Sequence, residues 1–265
     1  MPPHKPKLGQ NFLVDDTARH RIADALGDAS QRTVIEIGPG HGSITTILAE
    51  RAGRLVCIEL DRALAAELRF KFRNHANVTI VEADVLKTDL SSLVAPGEPA
   101  LVVGNLPYYI TSDILLHLFA HAASIDLAVV MMQREVADRV AAESGTRDFG
   151  LLAATAQMYA NAAPLFTLPP AAFNPPPNVH STVLRLAFAP RFAELRIQDA
   201  AAFDRFLHNA FQQKRKTLGN NLRASAYSNA EIEAACTSAA IESGIRAEAL
   251  TLPQFAAVFQ ALPPR

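Results

Sequence analysis

The chain has 265 residues, 49% of them apolar, enough to bury a large core and to form one large domain plus a small one. No apolar run approaches the roughly 20 residues that span a bilayer, and the opening Met-Pro-Pro-His-Lys-Pro-Lys lacks a secretory apolar stretch, so a soluble cytoplasmic protein with no membrane partner is expected. The formal net charge of −1 argues against a uniformly basic nucleic-acid binder, so any grip on phosphates must come from local clusters.

Short β-branched runs alternate with helical spacing along the first two thirds of the chain. Thr33 to Ile37, Arg54 to Glu59, Val78 to Val81, Ala100 to Gly104 and Asp126 to Met131 read as buried parallel strands. That order predicts an α/β architecture, a doubly wound, Rossmann-like sheet. Phe173 to Ser181 is too proline-rich for a helix or a central strand, and the alternating run Ser181 to Phe188 is expected to close the sheet. From Asp199 onward the pattern is helical and alanine-rich. Residues 1–190 are therefore read as the main domain and 191–265 as a small all-helical C-terminal domain, joined by a connection near 190–200. Cys57 and Cys236 lie far apart without metal spacing, as a reducing compartment allows, and Cys57 is expected inside a strand.

The first candidate site is Glu36-Ile-Gly-Pro-Gly-His-Gly42. Gly38, Gly40 and Gly42 follow a strand and precede a helix expected from Ser43, so backbone can pass close to a ligand with no Cβ in the way. The spacing differs from Gly-x-Gly-x-x-Gly, which favours S-adenosylmethionine over a cofactor carrying pyrophosphate. Glu59, 21 residues beyond Gly38, ends the second strand where a carboxylate can accept from ribose hydroxyls, whereas Asp61 suits a helix N-cap. Asp84 ends the third strand and is a candidate acceptor for the cofactor's adenine amine, with an ordinary cap as the alternative.

The second candidate is Asn105-Leu-Pro-Tyr108. An adenine amine is a poor nucleophile because its lone pair is delocalised into the ring. Acceptance of its two N–H groups by the Asn105 side-chain oxygen and the Leu106 carbonyl would pyramidalise the nitrogen and aim it at a methyl donor. Pro107 stiffens the turn, and Tyr108 can stack on the base. Together the two strings point to methyl transfer from S-adenosylmethionine to adenine.

With these motifs the chain resembles the small-subunit ribosomal RNA adenine N6,N6-dimethyltransferases. The strings that carry the resemblance are Leu8-Gly-Gln-Asn-Phe-Leu13, Glu36-Ile-Gly-Pro-Gly40, Ile58-Glu-Leu-Asp61, Asn105-Leu-Pro-Tyr108, Phe173-Asn-Pro-Pro-Pro-Asn-Val-His-Ser181 and Phe211-Gln-Gln-Lys-Arg-Lys-Thr-Leu218. The resemblance implies transfer of four methyl groups to two neighbouring adenines in a hairpin near the 3′ end of small-subunit rRNA, during subunit assembly. It further implies cofactor contacts at Asn11, Leu13, Gly38, Gly40, Glu59, Asp84 and Asn105, and a Phe173 ring that sandwiches the target base opposite Tyr108, with a core anchor before the prolines as the alternative for Phe173. Such stacking contributes roughly 1–3 kcal/mol per face. Tyr109 is one departure, since some members carry asparagine there. The expected partner is small-subunit rRNA within an assembling subunit, the expected state a monomer, and no metal is expected.

Lys214, Arg215 and Lys216 are expected on a helix, where steps of about 100° per residue keep all three from facing one phosphate groove. One or two would touch RNA. Lys5 and Lys7 form another basic cluster, and Arg69, Lys71 and Arg73 a third, which reads equally well as a solvated helix face. The eight histidines show no metal-ligand spacing with acids or cysteines. A DNA adenine methyltransferase would need a larger target-recognition segment. The erythromycin-resistance rRNA methyltransferases are closer relatives, but the Lys-Arg-Lys-Thr-Leu string favours the small-subunit group. A mitochondrial transcription factor of the same fold would need a targeting segment, for which a first motif at Leu8 leaves no room. A nicotinamide dehydrogenase would leave Asn-Leu-Pro-Tyr without a role.

Overall fold

The computed structural model describes residues 11–242 and 244–264. In chain order its elements begin with β1 (Phe12–Leu13), α1 (Asp16–Asp24), β2 (Thr33–Ile37), α2 (Thr45–Arg51), β3 (Arg54–Glu59), α3 (Arg62–Lys71) and β4 (Val78–Glu82). They continue with β5 (Ala100–Asn105), α4 (Thr111–Ala120), β6 (Ile125–Gln133), α5 (Arg134–Val140), α6 (Leu151–Tyr159), β7 (Ala160–Leu168), β8 (Phe173–Asn174) and β9 (Ser181–Phe188). Four helices follow: α7 (Ala200–Ala210), α8 (Leu218–Ala224), α9 (Asn229–Ser238) and α10 (Leu252–Ala261). No helix among the described residues is long and apolar enough to cross a membrane.

Seven strands form one sheet in the order β4-β3-β2-β5-β6-β9-β7. The five expected strands are present and run parallel, and β9 closes against β6 antiparallel as expected. Val34, Ile35, Leu55, Val56, Val102 and Val103 are fully buried, which is why these segments read as continuous apolar runs rather than alternating ones. The chain moves outward from β2 to β3 and β4, then crosses back to place β5 on the other flank of β2. Strand order therefore reverses between β2 and β5, the position at which open α/β sheets bind ligands beyond their carboxyl ends.

Helix starts follow side-chain chemistry. Asp15 accepts from the Ala18 amide, Asp61 from the Ala63 and Leu64 amides, and Asp199 from the Ala202 amide, each satisfying donors that a helix end leaves orphaned. Asp61 is thus the cap that its position indicated. The glycine-loop helix starts at Thr45, two residues later than expected, because Gly42 still closes a turn onto the Pro39 carbonyl.

Three strands escaped the sequence pattern. β7 contains Pro164 and leaves most of its residues open; at the sheet's edge, a missing N–H breaks no interior ladder. β1 and β8 are two residues each and pair antiparallel, Phe12 with Asn174 and Leu13 with Phe173.

The chain divides into two compact units, residues 1–137 with 161–188, and 138–160 with 189–265. This departs from a boundary at 190 in one respect: the segment 138–160 joins the C-terminal helices. In the second unit, Phe149 of that segment packs on Phe211 at 6.1 Å between ring centres, and Phe211 on Phe255 at 5.4 Å. Leu152, Ala153, Ala154, Ala156 and Met158 of α6 are all buried, so a helix apolar on nearly every face hides from a linear reading which neighbours it will choose. The Tyr159 hydroxyl donates to the half-buried Asp204 carboxylate of α7.

At Gly104, in β5, an added Cβ would lie 2.8 Å from the Ile37 carbonyl oxygen and 3.2 Å from the Ile37 Cβ. Backbone on the adjoining strand cannot yield as a side chain would. Gly104→Ala is therefore expected to destabilise the protein by roughly 1–3 kcal/mol, read as a lowered urea midpoint with an unchanged slope. An unchanged midpoint would mean that the two strands can spread at no cost.

Candidate functional site

Register brings the first site together. Ile37 of β2 pairs with Ile58 of β3 and with Gly104 of β5, so the next residue along each strand, Gly38, Glu59 and Asn105, meets the others at one edge. A Cβ on Gly38 would lie only 3.9 Å from the Asn105 carbonyl oxygen. Asp84 follows β4 at the same end of the sheet. Asn11, Gly38, Gly40, Glu59, Asp84, Asn105, Leu106, Pro107 and Tyr108 all line a single cleft that opens to solvent.

Glu59 shapes the glycine loop. Its Oε2 accepts from the Gly40 amide at 3.1 Å and its Oε1 from the Asp61 amide at 2.9 Å. A carboxylate has about four acceptor positions, and these amides, together with that of Leu60, fill only part of them. Burial raises the pKa of Glu59, and its bonds to the Asp61 and Gly40 amides oppose that shift. Gly38 and Gly40 have φ of +65° and +59°, and a Cβ on Gly40 would sit 2.8 Å from the Phe12 ring. That ring also lies 4.6 Å from the ring of His41. Lys71 donates to the His41 carbonyl at 3.0 Å, and the His41 ring contacts Glu67, so α3 braces the outer side of the loop.

Asn105 is oriented by its neighbours. Its Nδ2 donates to the Asn11 carbonyl at 2.8 Å, and among the described residues its Oδ1 accepts no hydrogen bond. The Leu106 amide donates to the Met131 carbonyl, while the Pro107 carbonyl accepts from the Ile110 amide and the Thr111 hydroxyl. The turn is thus fixed on both sides of Leu106, whose own carbonyl accepts nothing among the described residues. Tyr108 is half-buried, its hydroxyl 2.7 Å from Ser181 Oγ, and burial raises its pKa.

The lining also contains residues that the sequence did not assign to the site: Phe12, Ile37, Ile58, Leu60, Ala83, Val85, Tyr109, Ile110 and Ile114. Leu60 and Val85 directly follow the two acids, and that adjacency was the available signal. Glu59 and Asp84 bring negative charge to apolar walls, and among the described residues neither Lys nor Arg lines the cleft. This donor set opposes pyrophosphate. It suits a nucleoside with hydroxyls, an exocyclic amine and a positive charge, and S-adenosylmethionine has all three. Asp84 Oδ1 also caps its own turn by accepting from the Leu86 amide at 3.0 Å, so the cap and the cleft position coexist.

Several expected site residues lie elsewhere. Leu13 and Phe173 are each 3% exposed within the hydrophobic core, because the β1–β8 pairing turns both inward. The expected sandwich of a base between Tyr108 and Phe173 is absent from this arrangement. Lys214, Arg215 and Lys216 are exposed, but they occupy a turn between α7 and α8 rather than a helix, so the azimuth restriction does not apply. Asn221 creates that turn: its Nδ2 donates to the Ala210 carbonyl at 2.7 Å and its Oδ1 accepts from the Gln213 amide at 3.2 Å. Lys5 and Lys7 lie outside the described residues. Arg69 pairs with Glu82 at 3.1 Å, Lys71 holds the glycine loop and Arg73 lies over the Phe70 ring, so the middle cluster is engaged locally. Among the described residues no group of three or more His, Cys, Asp or Glu side chains is arranged to hold a metal.

A family model described as ribosomal RNA adenine dimethylase matches residues 2–263. Ribosomal RNA small subunit methyltransferase A of Acidobacterium capsulatum is 58% identical over 262 residues, covering 99% of this chain and 92% of the relative. The protein of the same name from Koribacter versatilis is 51% identical, covering 98% and 95%. Among solved structures, the 23S rRNA methyltransferase ErmE aligns with a TM-score of 0.69 at 28% identity, over 95% of this chain and 99% of that one. A dimethyladenosine transferase from Plasmodium falciparum aligns with a TM-score of 0.74 at 23% identity, over 93% and 95%, a likeness of fold.

Beneath the glycine loop, Glu36 is 2% exposed and accepts from the Thr45 hydroxyl at 2.6 Å and from the Cys57 thiol at 3.6 Å. Desolvation raises its pKa to about 7 despite these bonds. The folded state therefore holds this proton more tightly than the unfolded chain, so stability falls as pH climbs from about 4.5 to about 7 and levels off above. Glu36→Gln should remove that decline, gaining on the order of 1–3 kcal/mol on the wild type between pH 5 and pH 8 in denaturant titrations. An equal difference at both pH values would mean that Glu36 titrates as an exposed acid does.

Proposed function

Since the chain belongs to the ribosomal RNA adenine dimethylase family, we infer that the cleft beside Gly38 and Asn105 is where it methylates adenine N6 in small-subunit rRNA. The protein is an S-adenosylmethionine-dependent rRNA adenine dimethyltransferase. The observation that carries the site assignment is the Asn105 amide, held through its Nδ2 so that, among the described residues, its Oδ1 stays unbonded in a cleft walled by two acids and no cation.

When bound, S-adenosylmethionine supplies an electrophilic methyl group on a positively charged sulfur. Glu59 and Asp84 would hold the nucleoside part through its hydroxyls and amine, with Leu60 and Val85 against its base. Asn105 Oδ1 and the Leu106 carbonyl would accept both N–H groups of the target amine, withdrawing the nitrogen's lone pair from ring conjugation. Tyr108 would stack on the extruded base, its ring fixed by Ser181. The amine's proton becomes acidic only after it has gained the methyl group, so no strong general base is required, and an amide accommodates a second methylation. The expected target is two neighbouring adenines in the 3′-terminal hairpin, met within an assembling small subunit in the cytoplasm by a monomeric enzyme. The unit of residues 1–137 with 161–188 would supply the chemistry, and the turn between α7 and α8 the grip on RNA, through Lys214, Arg215 and Lys216.

Incubation with labelled S-adenosylmethionine and small subunits lacking the modification should place label on adenine N6 of the small-subunit rRNA. Label on large-subunit rRNA instead would hand the assignment to the group that ErmE represents. Asn105→Ala should lower kcat by at least 10²-fold while RNA affinity stays within about twofold, because it removes amine alignment and leaves the phosphate grip alone. Near-normal turnover would refute the role. Alanine at 214, 215 and 216 together should weaken RNA binding and reduce the magnitude of the slope of log K against log salt by roughly one for each phosphate the variant no longer neutralises, and an unchanged slope would exclude these cations.

A further inference from the structure

Two adjacent rings border the reactive amide and are held in different ways. Tyr108 is half-buried and bonded to Ser181. Tyr109 lines the same cleft but is 59% exposed, and its hydroxyl has no hydrogen-bond partner among the described residues. Phe173, the other ring a base sandwich needs, is buried in the core. Tyr109 is nevertheless set in place: the turn that carries it is fixed by the Leu106 amide on Met131 and by the Ile110 amide on Pro107. An aromatic ring of this size, open to water at the rim of a cleft, forgoes burial that a core position would provide.

A nucleotide that swings into the cleft leaves its stack, and its neighbour is left with one bare face at the rim. A fixed ring at that rim can replace the missing stacking whatever the identity of the neighbouring base, since every base has a π-face. Tyr108 and the Asn105 amide serve the interior, where the entering base is desolvated; a ring more than half open does not. The geometry points to Tyr109 as a stacking platform for the nucleotide next to the methylated adenine, a residue that contributes to RNA selection rather than to methyl transfer. This rests on the adenine-methylating reading of the cleft.

The test uses the full-length enzyme and small subunits reconstituted with 2-aminopurine either beside the target adenine or in its place. Tyr109→Ala should raise KM for the subunit about tenfold with kcat within about twofold, and should brighten the flanking 2-aminopurine in the complex; Tyr109→Phe should restore both. Calorimetric binding of S-adenosylhomocysteine equal to that of the wild type would show that the cleft is intact in both variants. Unchanged KM and flanking fluorescence in Tyr109→Ala would overturn the platform, as would a change seen only with the probe in the target position. Failure of the wild type itself to methylate small-subunit adenine would sink the underlying reading, and the platform with it.

Discussion

The site depends on the register of three parallel strands. With Ile37 opposite both Ile58 and Gly104, the first residues beyond the buried apolar runs are a glycine, a carboxylate and an amide, and they converge at one end of the sheet. A slip of one residue in either pairing would swap the side chains packed on the two buried faces and separate these groups. Core packing therefore enforces the site geometry. The near-zero exposure of Val34, Ile35, Leu55, Val56, Val102 and Val103 is what makes such a slip costly.

Charge is distributed by task. Among the described residues the cleft has two acids and no cation, which suits a positively charged nucleoside donor; beneath it, burial pushes the pKa of Glu36 up to about 7. Three exposed cations sit together on the turn at 214–216, and Asn221 gives that turn its shape. A net charge of −1 thus coexists with a local basic footprint, because the cations around α3 are occupied in holding the fold.

The segment 11–13 ties several motifs to one another. The Asn11 carbonyl orients Asn105, the Phe12 ring fills the space that a side chain at residue 40 would need, and Leu13 pairs with Phe173. Each of these links joins stretches far apart in sequence. Motifs that read as independent signatures are in this way parts of a single packing arrangement.

Much was legible in the sequence because it is governed by local chemistry. Strand positions follow from β-branched runs, the Asp61 cap from an acid before a helical pattern, the glycine loop from positions that must tolerate positive φ, and the acids from their place at strand ends. The cleft residues Gly38, Glu59, Asp84, Asn105 and Tyr108 were found this way. Which side chains turn inward was decided only by tertiary pairing: the short β1–β8 ladder buries Leu13 and Phe173, Asn221 bends 211–217 out of helix, and Phe149 draws 138–160 into the second unit. These outcomes depend on packing between residues distant along the chain, and no local propensity encodes them. By itself the sequence determined the elements and the chemistry at their ends; the three-dimensional packing decided which of those groups share a wall.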